Sequence, residues 1–155
     1  MTDAQQPQRA FFIQRVYLKD VSFESPRTPE IFKASDWQPN IGVQVANATE
    51  KLADDVYEST LTITATATLN IDGKDETVFL AEVAQAGIFS VSGFDGEELG
   101  HILGSVCPTQ LFPFVRETIA DLVSKGGFPP LLLQPINFDA LYVQHLQQRE
   151  GAATH

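Results

Sequence analysis

Residues 60–69 alternate without a break, with Tyr57 and Glu58 in phase before them: Tyr57, Leu61, Ile63, Ala65, Ala67 and Leu69 share one side, and Glu58, Thr60, Thr62, Thr64, Thr66 and Thr68 share the other. Successive side chains of a strand point to opposite faces, so this run is a strand with one dry face and one threonine face. A face of that kind belongs to the solvent side of an antiparallel sheet, which commits the chain to partner strands on both flanks and to a layer covering the dry face.

Asp72-Gly73 reads as a hairpin turn, and residues 77–91 return as the next strand. The register of that return decides which residues are buried, because a slip of one exchanges the two faces. A strict two-residue turn would set Leu80 and Glu82 among the hydrocarbons of residues 61–69. A turn with a glycine bulge shifts the pairing by one, buries Phe79, Ala81 and Val83, and leaves Leu80 and Glu82 beside the threonines. A carboxylate does not belong in a dry layer, so the bulged turn is the expectation.

Upstream, residues 11–24 are aromatic and β-branched and read as a strand. Its end separates Val21 and Phe23 from Asp20, Ser22 and Glu24. Pro26, Pro29 and Pro39 punctuate a long connection holding Phe32 and Trp37, too long for a hairpin and expected to cross the fold. Residues 41–46 alternate as another strand, with residues 47–55 as its turn, and Asp54-Asp55 reads as part of that turn and not as paired chemistry.

After Gly93 the pattern becomes helical. Residues 97–106 form a short helix, Pro108 opens a longer one with Pro113 as a kink or loose first turn, and Gly126 stops it. Asn137 caps a last helix carrying Phe138, Leu141, Tyr142, His145 and Leu146 on one stripe. Strands followed by helices make an α+β fold, a four-stranded antiparallel sheet with helices on one face. Residues 1–10 read as a disordered arm, 11–148 as a single domain and 149–155 as a flexible tail.

Between the last two helices, residues 126–139 combine two glycines and three prolines with Phe128, Leu131, Leu132, Leu133, Ile136 and Phe138. Proline excludes a helix, yet loops normally face water. This hydrocarbon must cover the chain's own core, meet a subunit partner or line a groove.

The balance of 10 Lys+Arg against 20 Asp+Glu gives a formal net charge of −10, the wrong sign for nucleic acid or an anionic membrane. The one cysteine, Cys107, closes no intramolecular disulfide and reads as a buried, inert thiol, and the N-terminus lacks a signal peptide, so a cytoplasmic location is expected. No metal or cofactor is expected: His101, His145 and His155 have no zinc-ligand spacing, and the Gly93-Gly96 turn makes no phosphate cradle. An enzyme is not the expected reading. Residues 32, 37, 128 and the leucines after it, wrapped around one edge of the helix layer, would form a trough for an extended polypeptide.

The segments Ile13-Gln14-Arg15-Val16-Tyr17, Lys19 to Glu24, Asp36-Trp37-Gln38-Pro39, Leu52 to Glu58, Gly87-Ile88-Phe89-Ser90, Cys107-Pro108, Leu111-Phe112-Pro113 and Pro135 to Leu141 together resemble the SecB-type protein-export chaperones, over about residues 11–148. The resemblance implies a cytosolic, ATP-independent holdase, assembled as a dimer of dimers, that binds unfolded precursors in apolar grooves and passes them to the motor SecA. It implies a SecA contact through Asp20, Glu24, Leu80 and Glu82 on the outer sheet face, and it puts Ala81, Val83 and Gln85 where substitutions disturb assembly. The expected client groove comprises Trp37, Ile41, Val43, Val45, Phe128, Leu131, Leu133, Phe138, Leu141 and Tyr142. The expected subunit interface adds Tyr17, Leu111, Val115, Ile119 and Leu122, because the stripe on the long helix looks too broad for one sheet layer to cover. The alternative is a SecB-like module dedicated to one partner, as in a toxin–antitoxin system.

Overall fold

The computed structural model describes residues 8–153; the first seven residues of the expected N-terminal arm lie outside that range. Four strands, β1 (Ala10–Glu24), β2 (Asn40–Ala53), β3 (Val56–Ile71) and β4 (Lys74–Ser92), form one antiparallel sheet in the order β1-β4-β3-β2. β1 and β2 are its opposite edges. The connection between them therefore crosses the fold, through a short 3-10 turn at Glu30–Lys33 that buries Ile31.

The β3–β4 turn corrects one expectation and keeps its consequence. Asp72 and Gly73 have φ of 53° and 86°, a two-residue hairpin turn whose pairing begins directly at Ile71 and Lys74. The bulge lies downstream, where the register passes from Thr68 opposite Thr77 to Ala67 opposite Phe79, leaving Val78 as the extra residue. From there on Phe79, Ala81 and Val83 face the dry side with Ala67, Ala65 and Ile63, and Leu80 and Glu82 face out with Thr66 and Thr64. β1 carries the same device twice, at Gln14 and Lys19. Each bulge shifts the phase by one, so Phe11, Ile13, Val16, Leu18, Val21 and Phe23, irregularly spaced along the chain, all oppose dry-side residues of β4.

β2 runs seven residues past the expected strand end at residue 46, to Ala53, and only Asp54 and Asp55 turn the chain. Its second half is polar because an edge strand beyond the reach of the helix layer is wet on both faces, which removes the alternation that marks a strand.

The helical layer also differs from expectation. α1 (Gly96–His101), a π-helical segment (Ile102–Val106) and α2 (Cys107–Lys125) follow one another without interruption. The wider π turn carries the chain past Pro108, whose ring in a regular helix would strike the carbonyl of Gly104. α2 stays helical through Pro113. Its end is a Schellman cap: Gly127, at φ 88°, donates to the Ser124 carbonyl at 3.0 Å and Phe128 to that of Val123 at 3.2 Å. α3 (Phe138–Ala153) begins with Asn137 Oδ1 accepting from the Ala140 amide at 3.0 Å, and continues through five residues read from sequence as tail.

α2 lies on the centre of the dry face, and Leu111, Val115 and Ile119 are fully buried against β3 and β4. The expectation that this stripe needs a second subunit to cover it is therefore corrected. Ala65, Ala67, Ala81 and Gly87 are small, and a Cβ at Gly87 would lie 3.1 Å from Leu111 Cδ2, so the helix settles close enough for one sheet to seal it. Ala81, Val83 and Gln85 are buried in the same layer. Six of the eight expected interface residues thus belong to the subunit's own core; Tyr17 and Leu122, half-buried, keep surface.

Candidate functional site: an apolar groove and an acidic sheet face

α2 covers β3 and β4 but leaves β2 largely bare. On the dry side of β2, opposite Ala67, Ala65 and Ile63, stand Ile41, Val43 and Val45, the first two 37% and 43% exposed. α3 faces the Val45 end of this strip across a cleft of about 630 Å³. Val45 and Asn47 form one wall, Leu103 the floor, and Leu141, Tyr142 and Leu146 the other wall. Leu141, Val143 and Leu146 are all exposed on α3.

The proline-rich loop divides into an inside and an outside. The Phe128 ring stacks on Trp37 at 5.2 Å and 14°, and meets Phe32 at 5.2 Å and Phe79 at 5.6 Å. It is only 6% exposed. Leu133 is equally buried, and Phe138 packs edge-on against Phe112 at 5.9 Å. The expectation that Phe128 and Leu133 line an open groove is corrected: they anchor the loop, held extended by Pro129, Pro130 and Pro135, in the core, while Phe138, buried at the start of α3, borders the cleft. Between Leu131 and Leu133 the loop turns Leu132 outward, 68% exposed, a residue the expected groove did not include. Leu131 and Trp37 are half-buried.

α3 docks chiefly on the π-helical segment. Tyr142 lies over Gly100 and Gly104, one turn apart, where a Cβ on Gly104 would collide with its ring and one on Gly100 with its hydroxyl. Beside it His101 Nε2 donates to Asp139 Oδ1 at 2.8 Å, and Ser105 Oγ donates to the same oxygen. Ser105 first, and His101 after it, hold the Asp139 carboxyl below the usual carboxylate range. Gly100 and Gly104 were a legible signal, a pair of small residues four apart on a helix; the Ser105–Asp139 contact had none.

On the opposite face of the sheet, Asp20, Glu24, Leu80 and Glu82 come together. Glu24 is directly opposite Leu80, Ser22 opposite Glu82 and Asp20 opposite Ala84, all pointing away from the helices. Asp20 and Glu24 are exposed, while Glu82 is half-buried and accepts from Thr64 Oγ1 at 2.9 Å. Farther along this face Tyr17 donates to Glu58, which also takes Lys19 at 2.9 Å. Burial first, then the Glu58 hydrogen bond, pushes the Tyr17 hydroxyl up to about 12, and the bonds from Tyr17 and Lys19 hold Glu58 below its usual range.

Burial pushes the Cys107 thiol up to about 12, so it is a neutral packing group at physiological pH. Among the described residues no cluster of three or more His, Cys, Asp or Glu could hold a metal ion, and no helix is long and apolar enough to cross a membrane.

The fold is similar to that of the Mycobacterium tuberculosis SecB-like chaperone Rv1957, solved in complex with a ChAD peptide from the HigA1 antitoxin. The TM-score is 0.64 at 15% identity, over 81% of this chain and 90% of that one. Sequence similarity reaches further: the chain is 52% identical over 152 residues to the protein-export protein SecB of Nitrosococcus oceani, covering 97% of this chain and 90% of that protein. The family described as preprotein translocase subunit SecB matches residues 4–149. With the sheet, the helix layer and nearly the whole length of the chain accounted for in this way, the protein belongs to the SecB family.

Proposed function

We propose that the chain is a cytoplasmic, ATP-independent holdase that keeps unfolded precursors of exported proteins in the groove between β2 and α3 and delivers them to SecA. The observation that carries this reading is the uncovered hydrocarbon itself. Ile41 and Val43 on edge strand β2, Leu132 on the loop before α3, and Leu141, Val143 and Leu146 on α3 are exposed apolar side chains in a chain otherwise strongly acidic. Isolated apolar residues on a surface need no explanation, but Leu141 and Leu146 stand in the wall of one cleft with Val45, and hydrocarbon gathered at a cleft marks a binding surface. The free edge of β2 adds unpaired amides and carbonyls with which an extended client can pair whatever its sequence, while the apolar strip selects hydrocarbon.

SecA engages the outer face through Asp20, Glu24, Leu80 and Glu82, an acidic rim around one leucine that suits a partner with a basic docking surface. The subunits assemble as a dimer of dimers. Its contacts use the apolar groups left outside, such as Phe12, Leu18 and Val21 on edge strand β1 and Phe114 on α2, with Tyr17 and Leu122 beside them. Nothing in this role asks for catalysis.

The rival reading, a module dedicated to one partner, draws on the peptide complex of Rv1957, whose likeness to this chain is one of fold. The 52% identity to a protein-export SecB favours the export role. Copurification separates the two. Capture of many unfolded precursors together with SecA is expected, and a single small protein copurifying without SecA would overturn the export reading.

A further inference from the structure

Resting on the reading of the outer sheet face as the SecA contact, we propose that Glu58 is a positioning residue for that contact: it draws the ammonium of Lys19 away from Asp20, so that this carboxylate stays free for a basic partner. The argument begins in the sequence Leu18-Lys19-Asp20. In a regular strand Lys19 and Asp20 would point to opposite faces. β1 shifts register here, with Leu18 opposite Gln85 and Asp20 opposite Ala84, so Lys19 is the extra residue of a bulge. A bulge re-aims its side chains, and both neighbours reach the outer side. Asp20 points away from the helices, and Lys19 Nζ meets Glu58 of the threonine face at 2.9 Å. The device that accommodates Asp20 on the outer face thus brings a cation with it, next in the chain to a carboxylate of the contact.

Glu58 is built to hold that cation. Its side chain is 13% exposed, against 48% for Lys19, and each of its oxygens has a partner on β1: Oε2 accepts from the Tyr17 hydroxyl, and Oε1 takes Lys19. Both donors reach across β4 to β3, over Ala86, which pairs with Tyr17 on one side and Thr60 on the other and is small and fully buried. A carboxylate fixed from two sides and largely out of water holds an ammonium better than a freely exposed pair does. Asp20, in contrast, is exposed and makes no ion pair among the described residues. Two other charged groups share this part of the face. Glu50, opposite Glu58 on β2, is one strand farther from Lys19, and Arg15, opposite Ile88, stands beyond Tyr17 from Asp20. With Glu58 neutral, Lys19 is left with Asp20, adjacent in the chain, and the pair they form masks one of the four residues of the contact. Charge at the rim of a docking surface acts mainly on the rate of approach and its salt dependence, which is where the effect is read.

The test measures SecA affinity of the full-length protein at low and high salt, with far-UV CD and the urea midpoint taken alongside. Glu58→Gln keeps the shape and an oxygen for Tyr17 but loses the charge. It is expected to weaken SecA binding about three- to fivefold at low salt, the upper range for an exposed ion pair, with the difference shrinking as salt screens it. Lys19→Met/Glu58→Gln removes the cation as well and should return the affinity to within about twofold of the parent. A purely structural role for Glu58 would leave the double variant weak, since it lacks every bond the single one lacks. Unchanged affinity in Glu58→Gln, or no recovery in the double variant, overturns the proposal. Lys19→Met alone keeps the test decisive if Glu58→Gln does not fold: affinity equal to or above the parent's is expected, and a fall would mean that the lysine itself meets SecA, which also overturns it. NMR of the Lys19 ammonium reads the pairing without SecA. Coupling to the Glu58 carboxyl carbon in the parent, and to that of Asp20 in Glu58→Gln, is expected. An ammonium that keeps away from Asp20 in Glu58→Gln overturns the proposal and leaves the SecA contact standing. If the parent fails to bind SecA while its lysine moves as expected, the SecA reading of this face falls and the positioning of Lys19 by Glu58 stands.

Discussion

Leu132 and Phe128 lie four residues apart in one loop, 68% and 6% exposed, and they carry opposite consequences. Phe128 sits among Trp37, Phe32 and Phe79, so Phe128→Ala is expected to cost about 3–5 kcal/mol, as large aromatic truncations in cores do. Leu132→Ala should stay within about 0.5 kcal/mol of the parent and instead weaken capture of an unfolded polypeptide. Denaturant midpoints and client affinities, measured on both variants, check the pair together. From sequence the loop's apolar content was plain, but its division was not: hydrophobicity is identical for Leu131, Leu132 and Leu133, and only the backbone direction set by the prolines separates them. On the outer face, Tyr17→Phe removes the principal hydrogen bond to Glu58. A carboxylate held below its usual range contributes stability that is present above its unfolded value and lost as pH falls through the folded one. Without Tyr17 the carboxyl is less depressed, so the variant should have a lower urea midpoint at neutral pH and lose less of it as pH falls from about 5 to 3, the two curves converging in acid.

At the scale of elements, β3 was legible because its alternation is unbroken over the ten residues 60–69, and α2 because its stripe ends at Gly126-Gly127. β1 and β2 were less so for physical reasons. Two bulges disrupt the period of β1, and an edge position wets both faces of the second half of β2. The face of Glu82 was reached by a chemical argument, that a carboxylate is not left in a dry layer, and it held although the bulge proved to be at Val78. The same geometry changes what a charge at Val83 does. Val83 is fully buried between β4 and the helix layer, so Val83→Asp is expected to unfold the subunit, not merely to dissociate an assembly: an unpaired buried charge costs several kcal/mol, roughly, against a total stability of about 5–15. Loss of the far-UV CD signal is the expected result, and a folded monomer would show that this layer is less closed than its burial indicates.

For the whole molecule, the central distinction is between hydrocarbon the subunit has sealed and hydrocarbon it has left open. The sequence resemblance indicated groove, interface and motor contact without ranking residues by exposure, and the sealed set took in Phe128, Leu133, Phe138 and most of the expected interface. Glu24→Lys with Glu82→Lys should abolish SecA binding in a pulldown while leaving the CD spectrum unchanged, since both lie on the outer face. The most direct test lies in the groove: Leu141 lines the cleft from α3, and Val43 stands next to Val45 along the same side of β2, and both are exposed. The measurement is the affinity of Val43→Ser/Leu141→Ser for a permanently unfolded polypeptide, taken alongside its denaturant midpoint. A tenfold loss, about 1.4 kcal/mol, corresponds to about 55 Å² of apolar contact, less than two such side chains offer. The expected result is a loss of tenfold or more with the midpoint nearly unchanged; client affinity equal to that of the parent would contradict the assignment of this groove.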